Sequence, residues 1–174
     1  MNIRLLILAG LVAASCRTSP APAPEPMRTG GGGETAVARL ADPSPAVRLD
    51  AAAVLGVPGA SDAIEPLADR AVHDEIAQVR WRALASLVRI DRRDAAVAAL
   101  LPSLESLDPA VQWRAAVALA MFEEPAAIPV LHAGVLSPDP YRRLEAITAL
   151  GQVHDARTPE VLRPLLESPS ANDR

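Results

Sequence analysis

Few residues of this chain have the type and spacing to do chemistry. Cys16 is the only thiol, which excludes an internal disulfide framework and leaves modification of its own sulfur. The three histidines, His73, His132 and His154, show no His-x3-His or His-x-His spacing and have no cysteine pair beside them, so no metal site is expected. The run His73, Asp74, Glu75 reads better as the capped start of a helix than as a weak cation site. No serine sits in a Gly-x-Ser-x-Gly context. The glycines at 30–33 follow no strand and lack the Lys-Ser/Thr of a phosphate loop. With no catalytic set and no cofactor motif, the expectation is a chain that is not an enzyme and carries no cofactor.

The remaining candidates bind rather than break bonds. Trp81 and Trp113 stand out in a chain with one tyrosine and one phenylalanine. They share a structural slot with Leu49 and Leu144. That slot lies about 200° round a helix from the main apolar stripe. It either packs between neighbouring helices or forms an exposed ridge suited to anchoring a partner. The next slot holds Asp50, Arg82, Arg114 and Glu145. Arg82 and Arg114, joined by Arg80, make either a basic spot for an acidic peptide or lipid headgroup, or an ordinary solvated face. All seventeen basic residues are arginine, yet the net charge is -4, so no nucleic-acid partner is expected.

These slots exist because the chain repeats. Val47, Ala51 and Leu55 recur as Val79, Ala83, Leu87, then as Val111, Ala115, Leu119, with Arg142, Ala146, Leu150 closing the series. The steps are 32 (47 to 79), 32 (79 to 111) and 31 (111 to 142). A fixed period in this range marks a repeat architecture. The i, i+4, i+8 spacing places each triplet on one helical face. Ser44-Pro45, Asp108-Pro109 and Asp139-Pro140 are strong helix starts. Gly56 and Gly151 suit left-handed helix ends. A second helix follows in each repeat, at 62–71, 94–104, 125–135 and 159–167. Pro66, Pro129 and Pro164 fall early in three of them. Ala36, Val37 and Leu40 suit a short helix over the open face of the first repeat. The expected fold is all-α: a right-handed α-solenoid of about four two-helix repeats over 35–168, with 169–174 a disordered tail.

The stretch 42–48, with Ala51, Ala52, Leu55 and Gly56 after it, resembles the HEAT-like repeats of the bilin-lyase type. So do residues 79–83 and 146–151. The resemblance implies that the arginine after the valine pairs with an acid of the inter-repeat turn, Arg48 with Asp42 and Arg80 with Asp74. Gln112 and Ser106 fill those places in the third repeat. Arg143 faces Ser137 in the fourth, so the ladder should break in the C-terminal half.

Residues 1–15 read as an export signal: Arg4 charges its start and an apolar run follows, too short to span a bilayer. Ala13, Ala14 and Ser15 before Cys16 resemble the lipobox of bacterial lipoproteins, with Ala13 where that family usually has leucine. The resemblance implies a lipid on Cys16; plain cleavage after Ser15 and an uncleaved helix are the alternatives. The Pro/Gly-rich stretch 16–34 would serve as a tether with a reach of about 60 Å.

The leading expectation is therefore a membrane-tethered, non-enzymatic HEAT-repeat scaffold, exported and lipid-anchored at Cys16, that binds a protein or peptide. Family analogy places contacts on the second helices, at Asp69, Arg70, Arg93, His132 and Arg163. The alternative is a bilin-lyase-like or other cofactor-handling enzyme. It would want an aromatic-lined cleft.

Overall fold

The computed structural model describes residues 36–167. The expected leader (1–15), Cys16, the tether (16–34) and the tail (169–174) lie outside the described residues. Within them the secondary structure is helical. The α-helices are α1 (Pro45–Leu55), α2 (Ile64–His73), α3 (Ala77–Ile90), α4 (Arg93–Leu100), α5 (Pro109–Ala120), α6 (Ile128–Val135), α7 (Pro140–Leu150) and α8 (Thr158–Leu166). Short 3-10 turns at Ala38–Ala41, Ser61–Ala63, Leu101–Glu105 and Pro125–Ala127 complete the set.

The predicted helix starts hold. α1, α5 and α7 each begin on a proline, where the missing amide costs no intrahelical bond. Asp108 and Asp139 accept the amides of Ala110 and Tyr141 at 2.8 and 2.9 Å, satisfying donors that the first turn leaves unpaired. The 3-10 entries into α2 and α6 leave Pro66 and Pro129 in the first α-turn, where proline is tolerated. Pro164 lies inside α8.

The helix ends differ from expectation. Gly56 and Gly151 have φ of -76° and -65°, so neither is left-handed. The left-handed positions are Asp91 (φ 58°) and Glu123 (φ 56°), with Gly59 at φ 81°. Gly56 is needed for another reason. A Cβ there would lie 2.6 Å from Ser86 Oγ and 2.9 Å from Ser86 Cα. Buried Ser86 donates to the Ala52 carbonyl at 2.7 Å, and this cross-link draws α3 onto α1.

The pairing of helices is also shifted from a simple first-then-second reading. The tightest packing joins each second helix to the first helix of the next repeat: α2 to α3 and α6 to α7, with α4 and its 3-10 extension against α5. The units are thus hairpins 38–55, 64–90, 93–120 and 125–150, followed by α8. Extensive contacts run within a hairpin or to the adjacent one, the nearest-neighbour pattern of a solenoid.

Each hairpin turn is held by the slot after the valine. Arg48 Nη1 donates to the carbonyls of Asp42 and Pro43 at 2.9 and 3.1 Å. Arg80 does the same to Asp74 and Glu75 at 2.8 and 3.0 Å, and Arg143 to Ser137 and Pro138 at 2.9 and 3.0 Å. Gln112 substitutes with one bond to Leu104 O at 2.8 Å. Arg48 does not pair with the Asp42 carboxylate, as the family resemblance implied. Its Nε and Nη2 instead grip the Asp74 carboxylate of the next turn at 2.7 and 3.0 Å. Arg80 meets no such acid, because the equivalent place one repeat later is Ser106. The carboxylate ladder therefore stops after a single rung.

The core is small and aliphatic. Leu67, Leu87, Leu100, Leu119, Leu131 and Leu150 are fully buried among alanines that let helix axes approach. Burying each leucine contributes about 2 kcal/mol. Leu40 is also buried, from the short helix expected over the first repeat.

Asp74 is almost fully buried. Burial alone would push its carboxyl up. The hydrogen bonds from Arg48 and the Ile76 amide, with the charges of Arg48 and Arg70, outweigh burial and hold it below its ordinary value. A depressed folded-state pKa stabilises the fold above the unfolded pKa, about pH 4, and that contribution is lost as pH falls through the lower folded value. Asp74→Asn should lower Tm by roughly 5 °C or more at pH 7, by stranding a buried guanidinium. The difference from wild type should shrink in melts at pH 3. Gly56→Ala should destabilise by about 1–3 kcal/mol through overpacking against Ser86, read as a shift in the urea midpoint at unchanged m-value.

Candidate functional site

The array is uneven at its centre. α1 packs along α3 and α5 packs against α7, but α3 and α5 do not form a comparable contact. α5 leans on α2 instead, where Arg114 Nη1 donates to the Val72 carbonyl at 3.1 Å. That carbonyl belongs to the last turn of α2, whose acceptors lack intrahelical partners. The two tryptophans of the shared slot differ in burial.

Trp113 is 9% exposed and Trp81 is 47% exposed. The fourth hairpin covers Trp113. Its ring fits against Gly134, where an added Cβ would come within 2.5 Å of Cη2. The Arg142 guanidinium lies 4.6 Å from the ring centroid, a cation–π distance. Its indole N–H donates to Glu145 Oε2 at 2.7 Å. The packing reading of this slot therefore holds for Trp113, and the exposed-ridge geometry holds for Trp81, with Leu144 also exposed.

Around Trp81 the charges differ. The slot filled by Glu145 in the fourth repeat is filled by Arg114 in the third. Arg80 and Arg114 are both half-buried, and their hydrogen bonds go to main-chain carbonyls. Burial first, and then the positive charge of Arg114, push the Arg80 guanidinium below its ordinary value. Arg82 is exposed. Arg80 and Arg114 thus bind carbonyls of residues 72–75 at the end of α2 and the turn after it, and the charges of Asp74 and Glu145 oppose the effect of Arg114 on Arg80.

The second-helix candidates do not converge. Asp69 pairs with Arg70 and lies 3.0 Å from His73 Nδ1. Arg70, His73, Asp74, Glu75, Asp42 and Arg48 line a shallow polar hollow of about 470 Å³. Arg93 donates to Phe122 O at 2.9 Å and reaches Glu124 at 3.6 Å, a tie from the start of α4 to the loop before the fourth hairpin. His132 Nε2 is buried and makes no hydrogen bond, although Asp155 Oδ2 is 3.1 Å away. Arg163 is exposed on α8. Among the described residues no cluster of three or more His, Cys, Asp or Glu could hold a metal ion, and no helix is long and apolar enough to cross a membrane. Sequence reasoning missed that the two tryptophans of one slot differ in burial. The available signal was the change of sign from Arg114 to Glu145 in one slot.

Comparison with known proteins bears on both fold and activity. The family model described as HEAT repeats matches residues 33–106 and 97–174. The fold is similar to that in the structure of the complex of CpcE and CpcF of phycocyanin lyase from Nostoc sp. PCC7120, with a TM-score of 0.51 at 23% identity. The match covers 88% of this chain and 66% of that one. No curated protein matches the sequence. The expectation that the chain is not an enzyme is corrected by this likeness: the fold occurs in a lyase complex. The absence of a familiar catalytic motif is therefore no ground for excluding activity, since helical repeats do not carry such motifs as part of their architecture. From period, hairpin geometry and family match together, the chain belongs to the HEAT repeat family.

Proposed function

We propose that this chain is a HEAT-repeat module of a bilin-lyase-like assembly, docking a protein partner and taking part in handling a tetrapyrrole. The observation that carries the reading is that one repeat slot holds an enclosed Trp113 and a 47% exposed Trp81, with half-buried Arg80 and Arg114 hydrogen-bonded to main-chain carbonyls of residues 72–75. A half-exposed indole offers a stacking surface, and guanidiniums offer donors for anionic groups. The likeness to a lyase complex supports the same reading. The scarcity of aromatic residues argues that a partner supplies much of the pigment's enclosure.

A second reading draws on the N-terminal sequence. An apolar leader, Cys16 and a Pro/Gly-rich tether support export and a lipid anchor, with the repeats held off the membrane to bind a protein or peptide. Both readings share partner docking and differ in cargo.

Two measurements separate them. Purified after co-expression in cells that make bilins, the chain should carry visible absorption in near-stoichiometric amount; a colourless preparation counts against the lyase-like reading. Intact mass of the protein from a bacterial membrane fraction should show loss of residues 1–15 and a lipid on Cys16. A mature N-terminus without lipid, or an uncleaved one, removes the anchor.

A further inference from the structure

We propose that the outer face of α3 docks an acidic amphipathic helix of a protein partner. The inference deepens the partner docking shared by both readings above and rests on it. α3 is apolar on two sides. Val79, Ala83, Leu84, Leu87 and Ile90 are buried and make up one side. At about 100° per residue, Trp81, Ala85 and Val88 fall together on the other, and Gln78, Arg82 and Arg89 continue the same arc. Exposure follows this arrangement. Trp81 is 47% exposed and Val88 41%; Ala85 is half-buried, and Gln78, Arg82 and Arg89 are exposed. The outer face is thus an apolar strip about 10 Å long, from 81 to 88, bordered by two guanidiniums.

Charge points to the occupant. α3 carries three arginines and no acidic residue, in a chain of net charge -4. Arg80 is engaged by the carbonyls of Asp74 and Glu75. Arg82 and Arg89 make no hydrogen bond or ion pair among the described residues. An apolar strip beside uncompensated cations is complementary to an apolar stripe beside carboxylates. Shape points the same way. Ala85 lies between Trp81 and Val88, so the strip dips at its middle between two larger side chains. A helix packed there sets a side chain into the dip and turns its flanking acids to Arg82 and Arg89. A flat anionic bilayer fits less well. Asp50 takes the place of Arg82 on α1, which packs along α3, and is also exposed, so a plane laid over both helices meets a carboxylate as well.

The test titrates the full chain with two synthetic amphipathic helices of about eighteen residues. They share leucines at i, i+3, i+4 and i+7 and carry either glutamate or lysine on the flanks. Tryptophan fluorescence reports Trp81, since Trp113 is enclosed. At low salt the glutamate peptide should bind at least about tenfold more tightly than the lysine peptide, and most of that advantage should vanish in about 0.5 M NaCl. Reversing both charges, Arg82→Glu with Arg89→Glu, should invert the preference, and Val88→Asp should weaken both peptides. Far-UV circular dichroism checks that the variants fold, and the comparison of peptides on the unaltered chain needs no variant. Equal binding of the two peptides, binding of neither, or a charge-reversed chain that still prefers glutamate overturns the inference. Each of these results leaves docking through another face standing, and the pigment measurement decides the lyase-like reading independently. Co-sedimentation with phosphatidylcholine vesicles containing about 30% phosphatidylserine, lost on charge reversal and without a preference for the glutamate peptide, would overturn it in favour of a membrane surface.

Discussion

A guanidinium gripping the carbonyls of a tight turn is the interaction on which the rest of this structure depends. A helix that ends and restarts within three residues exposes carbonyl oxygens and, where proline intervenes, lacks amides to offset them. Arg48, Arg80 and Arg143 each return from the first turn of the following helix to bind two of these oxygens. Once the turn is fixed, two amphipathic helices are held antiparallel, and their alanine- and leucine-rich faces meet. The hairpin still has an outer apolar face, and only its neighbour covers that face. Local hydrogen bonding therefore sets the unit, and hydrophobic burial sets the row.

Two cross-links lock the row at its N-terminal end and have no full counterpart elsewhere. One is the Arg48–Asp74 fork; the other is Ser86 against Gly56. Both join the first hairpin to the second. Between the second and third hairpins the linkage changes character. Asp74 has become Ser106, Arg80 has only carbonyls to bind, and Arg114 ties α5 to α2 rather than to α3. The buried carboxylate link between the first two hairpins thus has no equivalent between the second and third among the described residues.

Much of this was legible in the sequence. The period of the Val, Ala, Leu triplets gave the repeat count, and the Asp-Pro and Ser-Pro pairs gave three helix starts to the residue. The sign change along the Asp50, Arg82, Arg114, Glu145 slot was visible but could not be interpreted without knowing which neighbour it faces. The phase of the hairpins was not legible, because a periodic pattern does not say whether a helix leans on the one before or the one after. The role of Gly56 was misread for a related reason. A glycine after a helix suggests a left-handed end, whereas here it makes room for a side chain 30 residues away in the sequence (56 to 86). Asp42 and Asp74 looked equivalent, yet only Asp74 has its carboxylate buried under the preceding arginine. Long-range packing decides such cases, and no local pattern encodes it.

The folding unit runs from each second helix across the tight turn into the next first helix. Native-state hydrogen exchange in low denaturant tests it most directly, because amides that open together belong to one cooperative unit. The amides of α2 should gain exchange together with those of α3, those of α4 with α5, and those of α6 with α7, leaving α1 to open separately. If α2 instead exchanges with α1 and α4 with α3, the turns at 74–76 and 106–108 are boundaries rather than hinges of a unit, and the account is wrong.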